Sequence, residues 1–222
     1  MAPGAKLMAY DFGDADQALT TPWSSLYAQQ MYLPAYNAGA RVSSNSWGYF
    51  DSSTSSAAIY GYDSGYVDEM IFDNDDFLVI YAAGNYQNPH GDMSIGNNCV
   101  QKNSLCVGAA ETDPNPTTVA SFSSRGPAKD FRIKPDLVGP GDPVSSAKAS
   151  GNIADATCSL SSKSGTSMAT YVQEKKRLAS IMAIPAPIAL PALWHSIINN
   201  CSHLSYLLSG TVTGPQLQAL QL

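Results

Sequence analysis

The sequence predicts an α/β fold in which a largely parallel β-sheet is flanked by helices. Three observations carry that expectation. Short apolar runs alternate with longer segments of mixed, helical composition. The strongest run, residues 77–83, reads Phe-Leu-Val-Ile-Tyr-Ala-Ala without a polar break, the pattern of a strand buried on both faces. The chain has 222 residues, 44% apolar and 14% charged, enough for one domain with a substantial core.

The elements follow in order. Residues 6–12 read as the first strand. Residues 24–38 have helical composition interrupted by Pro34, and Gly39 is a plausible stop. Residues 41–47 are a second strand, and 57–72 a helix that Gly61 and Gly65 weaken. The run at 77–83 is the third strand and 105–110 a short fourth. Residues 119–124 are one more, ended by Arg125-Gly126-Pro127. Residues 142–164, rich in Gly, Ser and Ala, read as loops and turns. There is no internal repeat.

Composition narrows the function classes. Net charge is −6, and Lys and Arg are scattered apart from Lys175-Lys176-Arg177, which argues against nucleic acid as a partner. No apolar run reaches the length of a membrane span, and the opening Met-Ala-Pro-Gly-Ala-Lys lacks a basic-then-apolar signal pattern. The cysteines are Cys99, Cys106, Cys158 and Cys201. Cys99 and Cys106 are close enough for a local disulfide; buried free thiols are the other reading. No pair has Cys-x-x-Cys spacing, and His90, His195 and His203 cluster with none of them, so no zinc site is expected.

The chemistry concentrates in a few short stretches. Ser-Gly-Thr-Ser-Met-Ala-Thr spans residues 164–170 and sets Ser167 after a tight Gly-Thr turn, where a helix can begin. Its hydroxyl would lie near the free N–H groups of the helix start, a weak nucleophile until a base takes its proton. Ala82-Ala83-Gly84-Asn85 ends the strongest strand. Ligands of open α/β sheets bind beyond the carboxyl ends of strands, so Asn85 is either an amide donor to a developing oxyanion or a turn residue. Asn45-Ser46-Trp47-Gly48 follows the second strand. Gly48 would admit an extended peptide close to the backbone, and Trp47 suits a pocket wall or the core equally.

Two longer stretches complete the pattern: Val-Ala-Ser-Phe-Ser-Ser-Arg-Gly-Pro at 119–127, and Lys-Pro-Asp-Leu-Val-Gly-Pro-Gly at 134–141. These five motifs, in this order, resemble subtilisin-like serine proteases, the subtilases of peptidase family S8. The Asn-Ser-Trp-Gly form and the opening Ala-Pro-Gly-Ala-Lys-Leu resemble most the large alkaline protease branch. The resemblance covers residues 1–170 and implies a subtilisin-like parallel β-sheet flanked by helices. It implies serine-type endopeptidase chemistry through an acyl-serine, with Ser167 as nucleophile and Asn85 in the oxyanion hole. Asn45, Ser46, Trp47 and Gly48 would bind a polypeptide substrate. No cofactor is required. Calcium stabilises many members, and no loop here identifies its ligands. The parent protein would be secreted.

Two departures qualify this. In the family the triad runs Asp, His, Ser, and the His motif lies upstream of the segment that begins here at residue 2. His90 precedes Gly91, Asp92 and Met93 and reads as a loop residue; His195 and His203 match nothing. Asp11, Asp14 and Asp16 follow the first strand, whereas the triad Asp belongs farther upstream. The expectation is an incomplete, inactive fold; the alternative is a non-catalytic protein that binds peptides. A dinucleotide-binding module would need Gly-x-Gly-x-x-Gly after the first strand, and Phe12-Gly13-Asp14-Ala15-Asp16 lacks it.

The second departure is the tail, residues 171–222. The family continues with small residues in a buried helix. Here Tyr-Val-Gln-Glu-Lys-Lys-Arg would place three cations and one anion there, at several kcal/mol per unpaired ion. A shift of reading frame is one explanation, because the codons of residues 171–174 then permit Cys-Ala-Gly; a divergent C-terminal segment is the other. A helix over about 167–183, partly exposed, is expected, followed by poorly packed chain broken by prolines.

Overall fold

The computed structural model describes residues 6–9, 28–48, 59–112, 114–148, 159–172 and 218–220. The chain divides into two compact units: residues 21–144 with 164–177, and residues 1–20, 145–163 and 178–222. Asp11, Asp14, Asp16, Cys158, Lys175, Lys176, Arg177, His195, Cys201 and His203 lie outside the described residues, as does nearly all of the tail.

The larger unit is built on a four-stranded sheet in the order β2-β3-β4-β5, every neighbour parallel. The strands are β2 (Val42–Asn45), β3 (Leu78–Ala82), β4 (Leu105–Glu111) and β5 (Leu137–Asp142). β3 and β4 are central, with Val79, Ile80, Tyr81, Cys106 and Val107 essentially inaccessible. The continuous apolar run at 77–83 is therefore read correctly as a strand covered on both faces. Ile80, Val107, Ala109, Ala120 and Ala169 form the heart of the core, and Val42, Leu78, Leu105, Phe122 and Leu137 pack around it.

A five-residue π-helical turn (Ala28–Tyr32) leads into α1 (Leu33–Asn37). Pro34 falls just after the change from the π-helical turn to α1, inside one helical stretch that runs from 28 to 37. Gly39, at φ +102°, ends the segment as anticipated. α2 (Tyr62–Asp73) starts later than the composition suggested, because Gly61 is extended and forms its N-terminal boundary. It buries Ser64, Val67, Asp68, Met70 and Ile71, spacings of three and four that put one stripe inward. Asp68 anchors it: its carboxylate accepts the Tyr60 hydroxyl (2.7 Å) and the N–H groups of Lys102 (2.9 Å) and Asn103 (2.8 Å).

Three sequence expectations need correction. Residues 119–124 form no strand; a single bridge joins Ala110 to Val119, and the chain then turns, with Ser123 N–H on Ala120 O. The Ser123 hydroxyl takes the Ala109 N–H (3.0 Å), doing with a side chain what a neighbouring strand would do with its backbone. Residues 137–142, to which the sequence pattern assigned no strand, form β5 despite Gly139-Pro140-Gly141. Pro140 is tolerated because β5 is an edge strand, where a missing N–H breaks no inner ladder. Residues 142–164 are not all loop: β6 (Val144–Ala147) pairs with β7 (Leu160–Lys163), and Ser145 Oγ meets Ser162 Oγ at 2.7 Å. In the smaller unit β1 (Leu7–Ala9) pairs antiparallel with β8 (Gln218–Leu220).

Cys99 and Cys106 are joined in a disulfide, which decides between the two readings of that pair. The bond ties the 3₁₀ turn Asn97–Cys99 to the second residue of β4, and both cysteines are fully buried.

Candidate active site

The site is assembled at the carboxyl end of β3. After Ala82 the chain must leave the sheet sharply, and Gly84 does so at φ +107°. A Cβ there would lie 2.8 Å from the Tyr86 ring and 3.0 Å from Ser124 Oγ, so both the backbone and the space call for glycine. Ser124 N–H donates to Gly84 O, and Tyr86 N–H to Ser124 Oγ, which locks the turn to the Phe-Ser-Ser segment. Asn85 is thereby presented with its side chain exposed.

Facing it is α4, helical over residues 166–172. Gly165 N–H bonds Gly141 O (3.0 Å), and a Cβ on Gly141 would fall 2.9 Å from Gly165 O. The end of β5 and the Gly-Thr turn thus touch backbone to backbone. At the helix start Thr166 is buried and makes three bonds to Gly84 and Asn85. Its N–H and its hydroxyl both donate to Asn85 Oδ1, at 2.9 and 3.0 Å, while Oγ1 accepts the Gly84 N–H at 3.2 Å. A backbone N–H can only donate, so the amide atom facing it must be oxygen. The Asn85 Nδ2 is consequently turned away from Thr166, a donor left for something else. Thr170 adds a brace, its hydroxyl on Thr166 O (2.9 Å).

Ser167 is half-buried beside this pair. Its hydroxyl donates to Ser46 O (3.4 Å), and the Ser46 hydroxyl donates to Ser167 O (3.1 Å). Residues 121 apart in sequence are stitched together, and Ser46, Asn85 and Ser167 share one locality. The other residues of the 45–48 segment behave differently. Asn45 is buried, its amide donating to Ile80 O (3.2 Å) and Ser43 Oγ (3.1 Å), and its oxygen accepting the Tyr32 hydroxyl (3.2 Å). The Tyr32 and Tyr81 hydroxyls are themselves hydrogen-bonded. Trp47 is half-buried, edge-on to Tyr81 with centroids 5.7 Å apart. Gly48 is exposed, and a Cβ would meet Asn98 at an ordinary 3.5 Å, so the fold itself does not require glycine there.

His90 is not a loop residue but ends the single-turn helix α3 (Gln87–His90), where it is exposed and rests near Tyr86. The Ser167 hydroxyl bonds a carbonyl, not an imidazole. Among the described residues no group of three or more His, Cys, Asp or Glu is placed to hold a metal ion. No described helix is long and apolar enough to cross a membrane.

The Subtilase family model matches residues 1–171. The chain belongs to the subtilase family. Two curated relatives are the Serine protease/ABC transporter B family proteins tagD and tagB of Dictyostelium discoideum. Each is 27% identical, over 258 and 255 aligned positions that take in 77% of this chain. They take in only 14% and 13% of the relatives, so the chain spans about a seventh of their length. Among solved structures, the S41 psychrophilic protease is 27% identical with a TM-score of 0.51, and sphericase 22% identical with 0.50. Each match covers 73% of this chain and 50% of the other.

The fold of this subtilase is thus subtilisin-like and incomplete, a parallel sheet flanked by helices. It is a serine-protease-type domain, and its family implies polypeptide substrates and no organic cofactor. Of the residues that surround Asn85, sequence reasoning missed Thr166. The signal was present, since Thr166 stands immediately before Ser167, but nothing local says that its hydroxyl reaches back 81 residues.

Proposed function

We propose that residues 1–170 are the nucleophile-bearing part of a subtilase endopeptidase, and that residues 171–222 are a tail foreign to that catalytic domain. Ser167 attacks the scissile carbonyl. The Asn85 Nδ2 and the Ser167 N–H hold the oxyanion, and the peptide lies extended along residues 45–48. The general base and its carboxylate come from outside the described residues. The observation that carries this reading is the Asn85 amide, held by two donors from Thr166 so that its nitrogen is left over, beside a serine at a helix start. Ser46 and Gly48 offer backbone to a substrate. Asn45 contributes from beneath, because its side chain is spent on the core.

The chain by itself is a poor catalyst on this reading, since the hydroxyl of Ser167 has a carbonyl where it needs a base. Loss of the base costs on the order of 10⁶-fold in kcat, a figure measured on a member of this family. Incubation with a peptide ester and a peptide amide should give no turnover that Ser167→Ala abolishes. Turnover lost in that variant would place a base within this chain and overturn the assignment. A non-catalytic peptide-binding role is the second reading, favoured by that same carbonyl contact of the Ser167 hydroxyl. It predicts that a peptide bound by the chain is still bound by Ser167→Ala and is never cut.

A further inference from the structure

The chemistry above leaves the outward side of α2 unused. That helix has two apolar faces. One, with Val67, Met70 and Ile71, is buried. The other carries Tyr62, 89% exposed, and Tyr66 one turn on, followed by the exposed Glu69. With Tyr60, Gly61 and Gly65 these residues line an open groove of about 520 Å³. A Cβ on Gly65 would meet nothing within 4 Å, so no described residue fills the space above it.

The electrostatics say what fits. Glu69, Asp63 and Asp73 are exposed on or beside this face, and none of the three ion pairs among the described residues involves them. Tyrosine rings present a negative π-face, and a carboxylate at the end of such a wall completes a cation site. Tyr60, one of the groove's lining residues, already carries cations on its ring. Lys102 Nζ stands 4.8 Å from the Tyr60 centroid and the Arg132 guanidinium 5.7 Å from it. The groove is shallow and open to solvent, so it offers a long side chain a surface to lie on rather than an enclosing pocket.

We propose that this groove docks a lysine or arginine side chain of a basic polypeptide partner, with the cation on the rings of Tyr62 and Tyr66 and paired with Glu69. The carboxylates of Asp63 and Asp73 attract the partner and make the association salt-sensitive. Ser46, Asn85 and Ser167 are not among the residues that line this groove, so it stands whether or not the proposed chemistry does.

The test titrates the 222-residue chain with the peptide acetyl-Gly-Arg-Gly-Arg-Gly-amide and with its serine analogue, followed by calorimetry. The arginine peptide should bind at least about tenfold more tightly than the serine peptide. Glu69→Gln should weaken it about 1.5- to 5-fold, as an exposed ion pair predicts, and Tyr62→Ala about 2- to 5-fold, as an exposed cation–π contact predicts. Tyr62 is almost fully exposed, so its removal leaves the core intact, and an unchanged melting curve verifies that. Asp92→Asn, an exposed acid outside the groove, should change nothing. Equal weakening by Asp92→Asn would reduce the effect to the net charge of the chain and overturn the proposal. So would equal affinity for the serine peptide, or absence of binding by the arginine peptide.

Discussion

Replacing Thr166 with valine isolates the contact that orients the Asn85 amide. The two side chains are nearly isosteric, so the change removes an oxygen and leaves the volume. Thr166 is 1% exposed, which means that water cannot substitute for that oxygen. Two bonds are lost: the one donated to Asn85 Oδ1 at 3.0 Å and the one accepted from Gly84 N–H at 3.2 Å. The Asn85 oxygen keeps the Thr166 N–H, so its loss is small. The Gly84 N–H is left beside a methyl group, at a desolvation cost of about 1–3 kcal/mol. The expected destabilisation is therefore about 1–3 kcal/mol, read as a lower urea midpoint at unchanged slope. Thr166→Ser keeps the hydroxyl, loses one methyl and should cost about 1 kcal/mol or less. If valine proves no worse than serine, the hydroxyl does not hold the turn and the reasoning fails.

Two further outcomes follow from features away from the site. Replacing both Cys99 and Cys106 with alanine opens a loop whose ends are seven positions apart, which the chain-entropy relation values at about 2.5 kcal/mol; a melting temperature unchanged from the native chain would contradict this. Tyr60 has its pKa pushed up to about 12, first by burial and then by its hydrogen bond to Asp68. The folded state thus favours the protonated phenol, so the stabilisation is complete below about pH 10, the unfolded value, and disappears as pH rises through 12. The stability difference between native chain and Tyr60→Phe should be flat below pH 10 and shrink above it; a difference that grows with alkali would refute the sign.

Legibility tracked the range of the cause. The strand at 77–83 was readable because a run of apolar residues without alternation needs cover on both faces, and that requirement is written in the run itself. Asn85 and Ser167 were readable as candidates because each follows a local signal, a strand end with glycine or a Gly-Thr turn. β5 was not readable, since Gly139-Pro140-Gly141 is turn chemistry in isolation. It becomes a strand only because it lies at the edge of a sheet and pairs with β4 on one side. The run at 119–124 erred in the opposite direction. Its alternating residues suit a strand, but the Ser123 hydroxyl takes the Ala109 N–H that a strand would have used. The 45–48 segment divided along the same line. Its position was evident, whereas the inward commitment of Asn45 depends on Tyr32 and Ile80, elements that sequence proximity does not reveal.

The sequence by itself determined the fold class and the family, and it named the candidates to carry chemistry. Each of these rests on composition or on motifs of a few neighbouring residues, and such information survives without a partner. Only the tertiary structure decided which way the Asn85 amide faces, that Thr166 is what turns it, that the Ser167 hydroxyl meets the Ser46 carbonyl, and that Cys99 and Cys106 are joined. A hydrogen bond is directional and short. Whether a given donor finds its acceptor is settled by where the sheet delivers chain segments 81 or 121 residues apart, which no local pattern records.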